Sequence, residues 1–176
     1  MRTVGIAAPR QRYRQYPHEF SGGMAQRVMI AIALAARPAL LIADEPTTAL
    51  DVTVQAPIID LLADLLAQCD TTLLLITHDV DVGAALCERM AVMYAGEIVE
   101  HGRMSQTTEH PRHPYTGMLL RAIGPDGLHP IPGAVPELTD LPAGCRFSPR
   151  CPHATDRCRT QHPTFEDDVR CWLWSR

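Results

Sequence analysis

Lysine is absent from this 176-residue chain, so all 16 basic residues are arginines, and asparagine is absent too. A chain without Lys contains no phosphate-gripping loop of the kind that ends Gly-Lys-Ser/Thr. Long apolar runs are also lacking. The longest, Val28 to Ala36, falls far short of the ~20 residues that span a bilayer. The opening residues, Met1-Arg2-Thr3 and then Pro9-Arg10, lack the apolar core of a signal peptide. Nor is there a basic excess. Sixteen arginines face 20 acids for a net charge of −4, and their scatter gives no nucleic-acid footprint. These absences describe a cytosolic-type chain. What is present is globular in composition, 46% hydrophobic and 20% charged, at a length that suits one domain or a domain with a small appendage.

Composition changes along the chain. Ten of the 15 prolines fall after residue 110, and Cys145, Cys151, Cys158 and Cys171 crowd the end, whereas Cys69 and Cys87 sit singly among apolar neighbours. The change places a boundary near residue 104, with a 1–104 part of α/β character and a 105–176 part rich in Pro and Cys.

The first part alternates in period. Val28 to Ala36 reads as a buried helix stopped at Arg37-Pro38. Ala39 to Ala43 and Thr71 to Thr77 read as buried parallel strands. Ile58, Leu61, Leu62, Leu65 and Leu66 recur at helical spacing, opposite Asp60, Asp64 and Gln68. Val80 to Cys87 makes a further short helix, and Met90–Tyr94 with Glu97–Glu100 bracket Ala95-Gly96 as a hairpin. Continuous apolar strands separated by helices indicate an α/β layer fold.

Chemistry collects at the strand ends. Asp44-Glu45 closes one apolar strand, where α/β sheets bind ligands. Asp44 can serve Mg²⁺, which takes one or two carboxylates and keeps its waters. Glu45 is placed to orient or deprotonate a water. The plainer reading makes both acids dipole partners of a following helix. Thr77-His78-Asp79 ends the next strand on the same edge, so His78 can meet the same ligand or be structural. Ser21-Gly22-Gly23 opens a helix and offers either an anion site or a capped turn.

The order of these segments resembles an ATP-binding cassette (ABC) ATPase. Phe20-Ser21-Gly22-Gly23-Met24-Ala25-Gln26-Arg27 stands for the signature loop, Leu40 to Pro46 for the Walker B strand, Ala49-Leu50-Asp51 for the D-loop and His78 for the switch histidine. The resemblance implies that Asp44 serves Mg²⁺, Glu45 is the catalytic base and His78 contacts the γ-phosphate. Ser21, Gly22 and Gly23 would meet ATP held by a second subunit, and Asp51 would communicate across that dimer. The P-loop, glutamine loop and adenine-stacking aromatic are missing, so the fold expected is the C-terminal part of a P-loop NTPase (ABC ATPase) domain. The apolar faces around Leu41 and Leu74 should then lack neighbours. Pro57 departs from a plain helix after Asp51 and should produce a kink or a restart.

Gly96 to Gly102, His113-Pro114-Tyr115-Thr116, Leu119-Leu120, Gly144-Cys145-Arg146-Phe147, Pro149 to Pro152 and Asp156-Arg157-Cys158 resemble the tail of oligopeptide and dipeptide importer ATPases. His113-Pro114-Tyr115 reads structurally as a turn opening a helix through Thr116 to Ala122. Four thiolates at Cys145, Cys151, Cys158 and Cys171 suit a tetrahedral Zn²⁺ or a [4Fe–4S] cluster. Their spacing, C-x5-C-x6-C-x12-C, matches neither the CxxC pairs of zinc ribbons nor ferredoxin runs, and reduced, unliganded cysteines are the third reading. The importer resemblance favours the iron–sulfur cluster. Cys69 and Cys87 are expected as buried small hydrophobes, and Trp172 and Trp174 as cover for the tail's core.

The function so implied is that of an ATP-hydrolysing subunit of a peptide ABC importer, using ATP and Mg²⁺, with the isolated chain inactive for want of its P-loop. A second ABC ATPase subunit, two membrane permease subunits and, indirectly, an extracytoplasmic substrate-binding protein would be its partners, at the cytoplasmic face of the membrane. Two alternatives are a non-catalytic remnant binding only a Cys₄ metal and an ABC ATPase with a non-transport task.

Overall fold

Two two-stranded sheets organise the described residues, one parallel and one antiparallel. The computed structural model describes residues 1, 3–48, 50–123 and 129–174. They fall into two compact units, Met1–Cys87 and Glu88–Arg176. No helix among the described residues is long and apolar enough to cross a membrane.

The first unit runs through α1 (Pro9–Arg12), a 3-10 turn (Pro17–Glu19), α2 (Gly22–Ala35), β1 (Leu40–Asp44), α3 (Val52–Ala67), β2 (Thr72–Ile76) and α4 (Val80–Leu86). Strands β1 and β2 pair in parallel from Leu40 opposite Thr72 to Asp44 opposite Ile76. The crossover between them is α3, as parallel pairing requires. The Thr71 hydroxyl donates to the Pro38 carbonyl at 2.7 Å, which fixes the register where both strands begin. Helix α3 buries Ile58, Leu62 and Leu65, with Leu61 and Leu66 packed beside them, the stripe its sequence spacing dictates. It starts at Val52 and passes through Pro57 as one helix, so of the two expected outcomes, a kink or a restart, the restart does not occur.

Two expectations of burial are corrected. Both strands alternate between an exposed and a half-buried face. Leu41 packs against the core, while Leu40, Ile42, Leu74 and Ile76 are exposed. The face short of neighbours is therefore that of Leu74 and Ile42, not of Leu41. In α2 only Ile30 is buried, and Met29 and Ile32 face outward at 62% and 69% exposure. Val4 and Ile6 complete this core. Arg27 holds their segment by donating to the Val4 carbonyl at 2.7 Å.

The second unit contains β3 (Arg89–Tyr94), β4 (Glu97–Arg103), α5 (Met104–Glu109), α6 (Pro114–Ala122) and α7 (Asp156–Thr160). The β3–β4 hairpin turns at Ala95 and Gly96, with φ of 46° and 83°, the paired left-handed conformation that matches strand twist. It packs with the tail rather than the first unit. Tyr94, Tyr115 and Phe147 pack ring to ring, with centroids 4.6–5.4 Å apart. The chain after α7 returns along β4, where Arg170 N–H donates to the Val99 carbonyl at 2.8 Å and His101 N–H to the Asp168 carbonyl at 3.0 Å. Trp174 is half-exposed and Trp172 lies under the Arg157 guanidinium. The tail core is built instead on Phe147, Val169 and Cys171.

Candidate functional site

The parallel pairing brings two separated segments to one sheet edge. Past the last strand pair, the Glu45 N–H donates to the Ile76 carbonyl at 2.9 Å. This extends the ladder by one residue and sets Glu45 beside the residues that follow β2. His78 Nδ1 then lies 2.8 Å from Glu45 Oε1. A carboxylate only accepts, so the imidazole donates from Nδ1. The other carboxylate oxygen, Oε2, accepts the Thr48 hydroxyl at 2.6 Å. These two hydrogen bonds, Thr48 first and His78 second, hold the Glu45 carboxyl below its usual range. Glu45 in turn raises His78. Each partner favours the charged form of the other.

Glu45 adopts φ 47°, a left-handed conformation that costs a residue with a Cβ about 1–2 kcal/mol. Such strain persists where surroundings overdetermine it. Here the Thr48 N–H donates to the Glu45 carbonyl, and the Gln55 side-chain amide donates to the carbonyls of Thr47 and Leu50 at 3.2 and 3.3 Å. Gln55 sits in α3, so the loop carrying Glu45 is tied to a helix. Neither Thr48 nor Gln55 stood out in the sequence. Their signal was a hydroxyl three residues after the acid and an amide one turn into the next helix.

Asp44 ends β1 in an exposed position, and its carboxylate has no hydrogen bond or ion pair among the described residues. Free oxygens at a strand's carboxyl end suit a cation that keeps most of its waters, so Asp44 fits Mg²⁺. Asp51 is the N-cap of α3, without a side-chain cap bond. Ser21 is the N-cap of α2, its hydroxyl accepting the Met24 N–H at 3.4 Å. Gly22 and Gly23 form the first turn of α2, with N–H groups that have no intrahelical acceptor. A Cβ on Gly23 would sit 2.7 Å from Val54 Cγ1, so this glycine also lets α2 approach α3. The structure thus joins Glu45 to His78 with Asp44 beside them. Among the described residues no hydrogen bond or ion pair links the Ser21 or Asp51 side chain to that group.

The cysteines behave differently from the expectation. Cys145, Cys151, Cys158 and Cys171 share the second unit, and the other three all act electrostatically on Cys145. Burial, ahead of those like charges, pushes the Cys145 thiol up to about 11 and raises Cys151 and Cys171 as well. Four thiols are a suitable donor set for zinc or iron. Yet among the described residues no group of three or more His, Cys, Asp or Glu side chains is placed to hold a metal ion. As folded here the four are not drawn together into a formed cluster. Cys69 and Cys87 are half-buried rather than buried. His113 is structural as read. It caps α6, its Nδ1 accepting the Tyr115 N–H at 3.0 Å.

Residues 1–48 match the ABC transporter family model, and residues 99–158 match that of the oligopeptide/dipeptide transporter C-terminal region. The dipeptide transport ATP-binding protein DppD of Escherichia coli (strain K12) is 52% identical over 170 residues, covering 94% of this chain and 52% of that protein. The oligopeptide transport ATP-binding protein AppD of Bacillus subtilis (strain 168) is 47% identical over 184 residues, covering 99% and 56%. The chain spans about half the length of the curated relatives it matches. Among solved structures it is similar to the ATP-binding cassette MJ0796, a dimer in a post-hydrolysis state bound to ADP and Pi. That similarity has a TM-score of 0.50 and 32% identity, over 58% of this chain and 43% of that one.

Proposed function

Because the chain belongs to the ABC-transporter ATP-binding subunits of the oligopeptide/dipeptide type, we propose that it provides the hydrolytic edge of an ATPase driving peptide uptake. The observation that carries this reading is the 2.8 Å contact between Glu45 and His78 at the carboxyl end of a parallel strand pair. Glu45 accepts a proton from water, Asp44 would hold Mg²⁺, and His78 meets the terminal phosphate. When bound, the Mg²⁺ would neutralise phosphate charge. Ser21, Gly22 and Gly23 present the N-terminus of α2 to a nucleotide on a second ATP-binding subunit, and Asp51 senses that subunit. Two permease subunits and a substrate-binding protein complete the assembly, with this chain at the cytoplasmic membrane face.

The chain has no Lys and so contains no P-loop ending Gly-Lys-Ser/Thr. Supplying, as a separate polypeptide, the part of the 52%-identical Escherichia coli relative that this chain does not cover tests the reading. We expect magnesium-dependent ATP hydrolysis that is lost with Glu45→Gln. A folded complex that turns over ATP equally well with Glu45→Gln overturns it. The four late cysteines are proposed to converge on an iron–sulfur or zinc centre when the metal is supplied. Their shared electrostatic neighbourhood supports this, and stoichiometric metal in protein purified without oxygen is the check.

A further inference from the structure

The two oxygens of the Glu45 carboxylate are held by different kinds of partner. His78 takes Oε1 from a separate strand end, at 2.8 Å and with its own side chain 76% exposed. Thr48 takes Oε2 from within the same loop, at 2.6 Å. The hydroxyl's reach is set by the Thr48 N–H bond to the Glu45 carbonyl and by the anchoring of the neighbouring carbonyls on Gln55. One partner is an exposed ring from a separate strand end; the other belongs to a loop fastened to α3.

We infer that Thr48 is a positioning residue for Glu45, fixing Oε2 so that Oε1 alone is exchanged between His78 and water. The inference rests on Glu45 being the proton acceptor proposed above. When His78 turns toward a phosphate it releases Oε1, while Thr48 keeps the carboxylate from rotating after it. Oε1 is then the oxygen open to a water proton, and its direction is set in advance. A carboxylate tied at one oxygen loses less freedom on meeting its water than one swinging on a glutamate stem. Without the Thr48 hydroxyl, Glu45 would have one exposed partner and a strained backbone. A bare turn-forming role for Thr48 needs only its N–H, which every residue except proline supplies.

The test reads His78, with no need for nucleotide or turnover. In the 176-residue chain, imidazole nitrogen shifts show which nitrogen carries the proton, at a pH where His78 is neutral. Wild type should show Nδ1–H, because Glu45 accepts from that atom. Thr48→Val and Thr48→Ala remove the hydroxyl but leave the backbone N–H. Each should lower the ratio of Nδ1–H to Nε2–H by about five-fold, the size of one ordinary hydrogen bond. Thr48→Ser should restore it. Wild-type shifts in a folded Thr48→Val or Thr48→Ala chain overturn the inference, as does failure of Thr48→Ser to restore them. If both hydroxyl-deleting variants unfold while Thr48→Ser is native, the hydroxyl is structural and the inference also falls. Because no ATP is present, failure of the hydrolysis reading leaves these shifts untouched, so the two can fail separately.

Discussion

The buried carboxylate of Glu100 accepts the His113 N–H at 2.9 Å, and the Arg112 N–H at 2.8 Å, at the entrance to α6. Glu100 thereby caps the segment whose next residue but one is capped by His113 itself. Both side chains are almost wholly buried. The strand β4, through Glu100, is thus what positions helix α6.

This arrangement makes stability depend on pH through His113. Burial lowers its pKa from 6.5 to about 4, so the folded chain keeps the ring neutral. Above about pH 6.5 the unfolded chain is neutral there too, and His113 contributes no pH dependence. As pH falls from about 6.5 to about 4, the unfolded chain takes up a proton that the folded chain refuses. Stability therefore declines across that window, by at most roughly 3 kcal/mol. His113→Asn keeps an acceptor for the Tyr115 N–H and removes the titration. Urea melts at pH 7 and pH 4.5 should show a smaller loss for the variant than for wild type; equal losses would refute the assignment.

Glu97 ties the tail to the hairpin. Its Oε2 lies 2.9 Å from His162 Nε2, 3.4 Å from Arg146 Nε and 3.6 Å from Arg170 Nε. Glu97→Gln removes the charge while preserving shape, leaving two partly buried guanidinium groups without their anion. The expected cost is on the order of 1–3 kcal/mol. Proteolysis should then cut near Arg146, Arg159 or Arg170 faster than in wild type. Unchanged cutting would mean that these pairs contribute nothing to holding the tail.

Thr116 is wholly buried in α6, and its hydroxyl is the buried side-chain polar atom without a hydrogen-bond partner among the described residues. An unmet buried hydroxyl costs about 1–3 kcal/mol. Thr116→Val keeps the β-branched shape and removes the cost. A rise in the thermal midpoint is expected. A fall would indicate that a water satisfies the hydroxyl in solution.

Much of this was legible from local pattern. The helical spacing of Ile58, Leu62 and Leu65 dictated the buried stripe of α3. The two strand ends on one edge put His78 within reach of Glu45, and the two side chains lie 2.8 Å apart. What escaped was non-local. Glu97 collects partners from Arg146, His162 and Arg170, and no periodicity announces a hub drawn from distant segments. Val4 and Ile6 enter the first core from a stretch too short to carry a pattern. The continuous apolar strands read as buried on both faces, because apolar composition reports what a strand can bury and not what covers it.

That last difference has a measurable outcome. Ile42 and Leu74 are cross-strand partners on the exposed face, flanked by Leu40 and Ile76, and the four are 47–60% exposed. A contiguous apolar face of this kind favours association, and among the described residues each strand of this two-stranded sheet has an unpaired edge that can recruit a further strand. The chain should therefore self-associate as its concentration rises, with sedimentation shifting to heavier species. Replacing Ile42 and Leu74 together with Thr removes apolar surface at the centre of the face while retaining side chains that strands accept. Neither residue belongs to the buried core, so the circular dichroism spectrum should be unchanged and the heavier species should decline. If the double variant and wild type sediment alike across the same concentrations, the association lies elsewhere on the molecule and this face is not its cause.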